Sequence, residues 1–290
     1  MQKFTTNLVA RNFALFFRYD VIYSILDSRS NLTFKLTMNT LNSFHPDEQK
    51  CRIQLASCYR IFAMLGWTEM IYNHITLRLP QSVSGDEAQF LINPFGLHYS
   101  EVTASNLVKI DLNGKILDHS PYPINPAGFI LHSAMHANID GAHCIMHTHT
   151  TAGVAVACMQ GGLEQSNFYS AQLHNLVAYH DFEGITIRSN EAPRLIKSIG
   201  TRPAVILRNH GLLAWGASLP LTFSILWTLQ RACEIQVATA SMGTRIMVSE
   251  EIARSATKDS FQFSPTNGEG QDLFDALVRQ VDKIDNNYKS

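Results

Sequence analysis

Strand-like and helix-like segments alternate along this chain, and at least two neighbouring strand pairs are joined too tightly to run in the same direction. Val108–Leu117 carries Asn113-Gly114 between apolar flanks, the pair that favours a hairpin turn. Ala204–Leu207 and Leu212–Trp215 are apolar runs separated by a short link ending in Asn209-His210-Gly211. Links of this kind reverse the chain, because a parallel connection needs a dozen residues or more. Further strand patterns lie at Ile71–Leu79, Phe90–Ile92 and Ala142–His149. Helical patterns separate them. Pro46–Leu65 has Asp47 and Glu48 in its first turn and Gly66 beyond its end, which suits the helix dipole and a left-handed cap. Ala127–Ala137 behind Pro126, Ala152–Met159, Ala192–Ile199 before Gly200, Pro220–Ala240 and Asp272–Ile284 follow. The interleaving predicts an α/β fold, a three-layer α/β/α sandwich around a central mixed, largely antiparallel sheet.

One domain over residues 41–250 accommodates these elements, with residues 1–40 as an N-terminal arm and 251–290 as a C-terminal loop and helix. Met38 sits just before the first convincing helix, so residues 1–40 read either as a poorly docked arm or as sequence upstream of a true start at Met38. With 46% apolar residues among 290, the chain can bury a full core without covalent staples. Its 23 basic and 24 acidic side chains leave a net charge of −1 with no basic cluster, which excludes an electrostatic footprint for nucleic acid or an anionic membrane. Five scattered cysteines, with no CxxC pair, predict a reducing, cytoplasmic setting. The early apolar stretch Phe13–Leu26 is broken by Arg18 and Asp20, too short and too charged to span a bilayer.

Histidine is the unusual component. Six of the twelve, His119, His132, His136, His143, His147 and His149, fall between positions 119 and 149. On a strand, positions i and i+2 project to one face, so His147 and His149 can reach one point in space. With a third imidazole they form a borderline-soft divalent site suited to Zn, leaving coordination open for substrate. His210, after an apolar strand and before Gly211, is the candidate third ligand. His132 and His136 share a helix face, but no Glu lies between them, so the zincin pattern is absent and a structural role is expected for the pair. His143 is read as a packing residue.

Taken in order, Phe90-Leu-Ile-Asn-Pro-Phe-Gly96, Ile124-Asn-Pro-Ala-Gly-Phe-Ile-Leu-His132, Cys144-Ile-Met-His147-Thr-His149 and Leu207-Arg-Asn-His210-Gly211 resemble the class II aldolase and adducin family. The resemblance spans Pro46 to Gly243. Ala178-Tyr-His-Asp-Phe-Glu-Gly184 and Ala232-Cys-Glu-Ile-Gln-Val237 are similar to adducin head-domain sequence. The resemblance implies a three-layer fold around a mixed sheet and a homo-oligomer, often a tetramer with active sites near subunit interfaces. It also implies a divalent metal, Zn above Mn or Fe, on His147, His149 and His210.

The departures from the family set the functional expectation. Its aldolases place a catalytic Glu four residues before the position of His132, where this chain has Gly128. Hydroxyl side chains that surround a substrate phosphate correspond here to Phe95, Pro126 and Ala127, while Asn73 and Gly96 survive from that pocket. Each lost charge-assisted contact is worth about 1.5–3 kcal/mol, so a phosphorylated sugar is not expected. The reading is therefore a metal-dependent carbon–carbon lyase, acting by aldol cleavage or decarboxylation on an unphosphorylated keto or hydroxy acid. Asn73, Phe95 and Gly96 are its candidate substrate-binding residues, and His132, Tyr179 and His180 its candidate bases, the last two on a loop. The alternative is a non-catalytic, adducin-like binding protein associated with the actin cytoskeleton, with a vestigial metal pocket. Asn286-Asn-Tyr-Lys-Ser290 carries no long basic run, and actin binding is accordingly the weaker transfer.

Overall fold

The computed structural model describes residues 43–185, 189–260 and 268–290. The expected arm at 1–40, with Met38, lies outside the described residues. Helix α1, Pro46–Leu65, starts with the His45 side chain accepting from the Asp47 N–H and ends at Gly66, φ 73°. β1 (His74–Arg78), a short helix α2 (Gln81–Ser84), β2 (Gln89–Ile92) and β3 (Val108–Asp111) follow. Then come α3 (Pro126–Asn138), β4 (Cys144–Thr148), α4 (Thr151–Ala157), α5 (Phe168–Ala171), β5 (Val177–His180) and α6 (Ala192–Ile199). β6 (Ala204–Leu207), β7 (Gly211–Gly216), α7 (Leu219–Thr239), α8 (Glu250–Ser260) and α9 (Gln271–Ile284) complete the order.

The strands form one 7-stranded sheet in the order β3-β2-β1-β4-β7-β6-β5. Among the described residues only β5 and β6 pair in parallel; every other ladder is antiparallel. Strand alternation divides the sheet into two faces. Cys144, Met146, Ile206, Leu212 and Ala214 pack with α1, α7 and α9, whose Phe62, Phe223, Phe274 and Val281 share that core with Tyr288. Ile145, Val205 and Leu213 face the other way and pack with Leu131 and Met135 of α3 and Leu195 and Ile199 of α6. The result is the expected mixed sheet with helices on both sides. Among the described residues no helix is long and apolar enough to cross a membrane.

A buried ion network fastens α1 to the edge of the sheet. Arg52, fully buried, donates to Glu48 and Asp118 at 2.8 Å each and to the Leu107 carbonyl at 2.8 Å. Lys109 completes the network on Glu48 at 3.0 Å.

Four local readings change. The first strand begins at His74 rather than Ile71, because Glu69 and Met70 turn the chain at φ 41° and 61°. β4 ends at Thr148, since the Thr150 hydroxyl caps α4 on the Gly153 N–H, leaving His149 just beyond the strand. Asn113-Gly114 makes a turn, with Asp111 Oδ1 accepting from the Asn113 and Lys115 N–H groups, but the return arm pairs only through an Ile110–Ile116 bridge. Tyr179 and His180, expected on a loop, lie on β5, which gains its place by pairing with the buried β6.

Candidate active site

His147 lies on the α3 side of the sheet, in period with Ile145, and His149 continues that direction past the strand end. His210 sits in the β6–β7 turn, which is made by Asn209 at φ 55°. The three Nε2 atoms converge: His147 to His149 is 2.7 Å, His149 to His210 is 3.0 Å and His147 to His210 is 3.3 Å. His147 Nδ1 donates to the Leu212 carbonyl at 2.8 Å, which fixes the tautomer with a bare Nε2. The His149 backbone N–H donates to Asn73 Oδ1 at 3.1 Å, and Asn73 Nδ2 donates to the Trp67 carbonyl at 2.9 Å. Burial, reinforced by the neighbouring imidazoles, pushes His147 well below its ordinary pKa. The same causes bring His149 down to about 4, and burial lowers His210. With hydrogen on Nδ1, the neutral His149 and His210 rings would aim their Nε2 lone pairs at the same point as His147, an arrangement that a cation between them would stabilise. Three imidazoles in this arrangement fit a divalent ion of the Zn class.

The triad forms one wall of a cavity of about 390 Å³. Its other walls are Tyr72, His74, the first turn of α3 at Asn125, Ala127 and Gly128, Leu131, Phe182 and Ile185. Among the described lining residues there is no lysine or arginine.

The remaining sequence candidates distribute unevenly. Asn73 is buried and spends its amide on Trp67 and His149, so it positions the triad rather than facing the cavity. Phe95, whose N–H donates to the Pro123 carbonyl, and the exposed Gly96 are not on the cavity wall. Tyr179 stands apart, its hydroxyl accepting from the Leu163 N–H at 3.0 Å and its ring beneath Arg208. His180 bonds Ser198 and Glu191 and lines a small recess that also touches His210. His143, expected to pack, is exposed, because the chain enters β4 one residue after it.

His132 lies behind the cavity wall, and the imidazole in front of it is one the sequence reading missed. His74 Nδ1 is 3.0 Å from His132 Nε2, His132 Nδ1 is 2.8 Å from Thr76 Oγ1, and Thr76 Oγ1 is 2.8 Å from His136 Nε2. His136 Nδ1 ends the chain on the Ala142 carbonyl at 2.6 Å. Burial pushes His74 and His132 well below the ordinary imidazole value. It brings His136 down to about 3, with the Arg78 charge adding to the effect. His74 occupies the space Gly128 leaves open, since a Cβ at position 128 would stand 2.2 Å from its Cδ2 and 2.5 Å from its Nε2. The available signal was His74 and Thr76 in period two within β1, opposite two histidines one helical turn apart.

Residues 53–237 match the Class II Aldolase and Adducin N-terminal domain. The chain belongs to the class II aldolase and adducin family. A Pseudomonas aeruginosa protein named for class 2 aldolases is 41% identical over 245 residues, covering 83% of this chain and 93% of its own. Mouse alpha-adducin is 39% identical over 257 residues, which are 83% of this chain but 34% of that protein. Among solved structures, an aldolase II superfamily protein from Pseudomonas syringae superposes with a TM-score of 0.79 at 35% identity, covering 86% of this chain and 98% of its own. L-fuculose 1-phosphate aldolase from Glaciozyma antarctica shares the family fold at TM-score 0.72 and 24% identity, covering 84% and 93% of the two chains.

Proposed function

We propose that this family member is a metal-dependent carbon–carbon lyase acting on an unphosphorylated keto or hydroxy acid. The observation that carries the reading is the convergence of the His147, His149 and His210 Nε2 atoms on a cavity whose described lining residues include no lysine or arginine. His147, His149 and His210 would hold the ion, Zn first among the candidates and Mn or Fe accepted by the same donors. When bound, a divalent ion there supplies Lewis acidity toward a substrate carbonyl.

The protein's own groups do the rest. Leu212 and Asn73 hold two of the ligands in place. The first turn of α3 turns its positive end toward the cavity, which favours a carboxylate, while the buried Leu131 gives it an apolar wall. Among the described lining residues a phosphate would meet no lysine or arginine. Tyr72, Phe182 and Ile185 are 57%, 52% and 81% exposed at the mouth, which supports a homo-oligomer in which another subunit covers them.

A second reading follows from the identity with alpha-adducin and from Gly128 in place of the catalytic Glu: a non-catalytic binding protein associated with the actin cytoskeleton. Two measurements on the purified protein separate them. The lyase reading expects about one divalent ion per chain by elemental analysis, together with aldehyde or carbon dioxide release from a panel of keto and hydroxy acids. Metal-free protein overturns it, and turnover of a sugar phosphate at enzymatic rates overturns the choice of substrate class.

A further inference from the structure

The four-residue chain behind the cavity has a direction, and its direction is set at the buried end. The Ala142 carbonyl can only accept, so His136 Nδ1 carries the hydrogen and His136 Nε2 is bare. Thr76 then gives its one hydroxyl hydrogen to His136 and accepts from His132 Nδ1. His132 Nε2 is bare in turn and accepts from His74 Nδ1. The opposite direction would need a second proton on His136, which is buried with Arg78 nearby. The one nitrogen left over is His74 Nε2. It is not among the buried polar atoms without a partner, makes no hydrogen bond among the described residues, and His74 lines the cavity beside the histidine triad.

We propose that His74 is the group that accepts the substrate's hydroxyl proton, with His132, Thr76 and His136 as positioning residues that keep its Nε2 bare and aimed into the cavity. The proposal rests on the lyase reading and narrows it to aldol-type cleavage of a hydroxy keto acid. In the forward step the hydroxyl O–H bond breaks as N–H forms on His74 Nε2. The freed oxygen pair becomes the second bond of the aldehyde carbonyl, and the carbon–carbon pair leaves on the carbon next to the keto group. That carbon takes the proton back from His74, so no oxidant or further proton is required. Gly128 is then part of the same device: the family's Glu and His74 cannot share this space, and the chain holds the imidazole.

Histidine-ring ¹⁵N NMR on the zinc-loaded, full-length protein reads the tautomers without any substrate. The expected result is His74, His132 and His136 each neutral, with hydrogen on Nδ1 and none on Nε2; a hydrogen on His74 Nε2 overturns the proposal. Thr76→Val removes the link while keeping the shape. It is expected to leave the zinc content unchanged, to give His74 mixed tautomers, and to lower kcat about tenfold with KM little changed, with Thr76→Ser restoring both. Tautomers and kcat unmoved in Thr76→Val overturn the positioning roles. His74→Ala should lower kcat for aldehyde release by about 10²–10⁴-fold with zinc retained, and full activity in that variant overturns the acceptor role. Absence of metal or of turnover in the wild type would instead overturn the lyase reading, which the tautomer spectrum does not test.

Discussion

His74 and His147 are register partners across the β1–β4 ladder, with ring centroids 5.1 Å apart. One belongs to the triad that converges on the cavity and the other heads a hydrogen-bonded chain leading away from it. Adjacent strands thus present the candidate metal site and the candidate proton acceptor side by side.

Replacing the two strand-end ligands should empty the site. The double variant His147→Ala, His149→Ala is expected to lose its metal by elemental analysis and to show no chelator-dependent change in Tm, while the wild type loses thermal stability on chelation.

Asn73 holds the His149 backbone without entering the cavity. Asn73→Ala is expected to weaken metal affinity by about 10–100-fold, the usual cost of losing an outer-shell partner, as read by competition with a chromogenic chelator.

Gly128 has no room for a side chain while His74 keeps its place. Gly128→Ala is expected to cost about 1–3 kcal/mol by urea denaturation, as overpacking does. In a His74→Ala background the same change should cost much less, giving a measurable coupling between the two positions.

Acid should destabilise the metal-free protein from a neutral starting point. His149 is held down to about 4 and His136 to about 3, below the unfolded imidazole value of about 6.5. Between those limits the unfolded chain binds more protons than the folded one. Stability is therefore full above about pH 6.5 and falls as pH drops toward 4, by about 1.4 kcal/mol per pH unit for each such histidine. Urea midpoints of chelated protein at pH 7.5, 6 and 5 check the slope, and bound metal should reduce it.

Arg52 is the hinge of a buried ion network. Arg52→Met leaves Glu48 and Asp118 without their shared cation, and the expected loss is about 3–5 kcal/mol by chemical denaturation, with metal content unchanged.

The helices bounded by Pro46 and Gly66, by Pro126, and by Gly200 were legible because caps and apolar spacing are local chemistry. So were β6 and β7, where a short link forced an antiparallel pair. β5 was not, because Val177–His180 carries no strong alternation and becomes a strand only by pairing with β6. His149 fell outside its strand for a similar reason: a side-chain cap at Thr150 ended the ladder first.

The sequence by itself determined the family, the layered α/β class and the three histidines of the triad, since strand periodicity and ordered motifs are properties of neighbouring residues. Only the tertiary structure decided what stands behind them. His74, His132, Thr76 and His136 come from a strand and a helix more than fifty residues apart. The direction of their hydrogen bonds is fixed by a carbonyl from a third segment, Ala142. Gly128 reads in the sequence as a lost acid, yet in the fold it is the space an imidazole fills. No local pattern encodes that, because it depends on where two distant backbones meet.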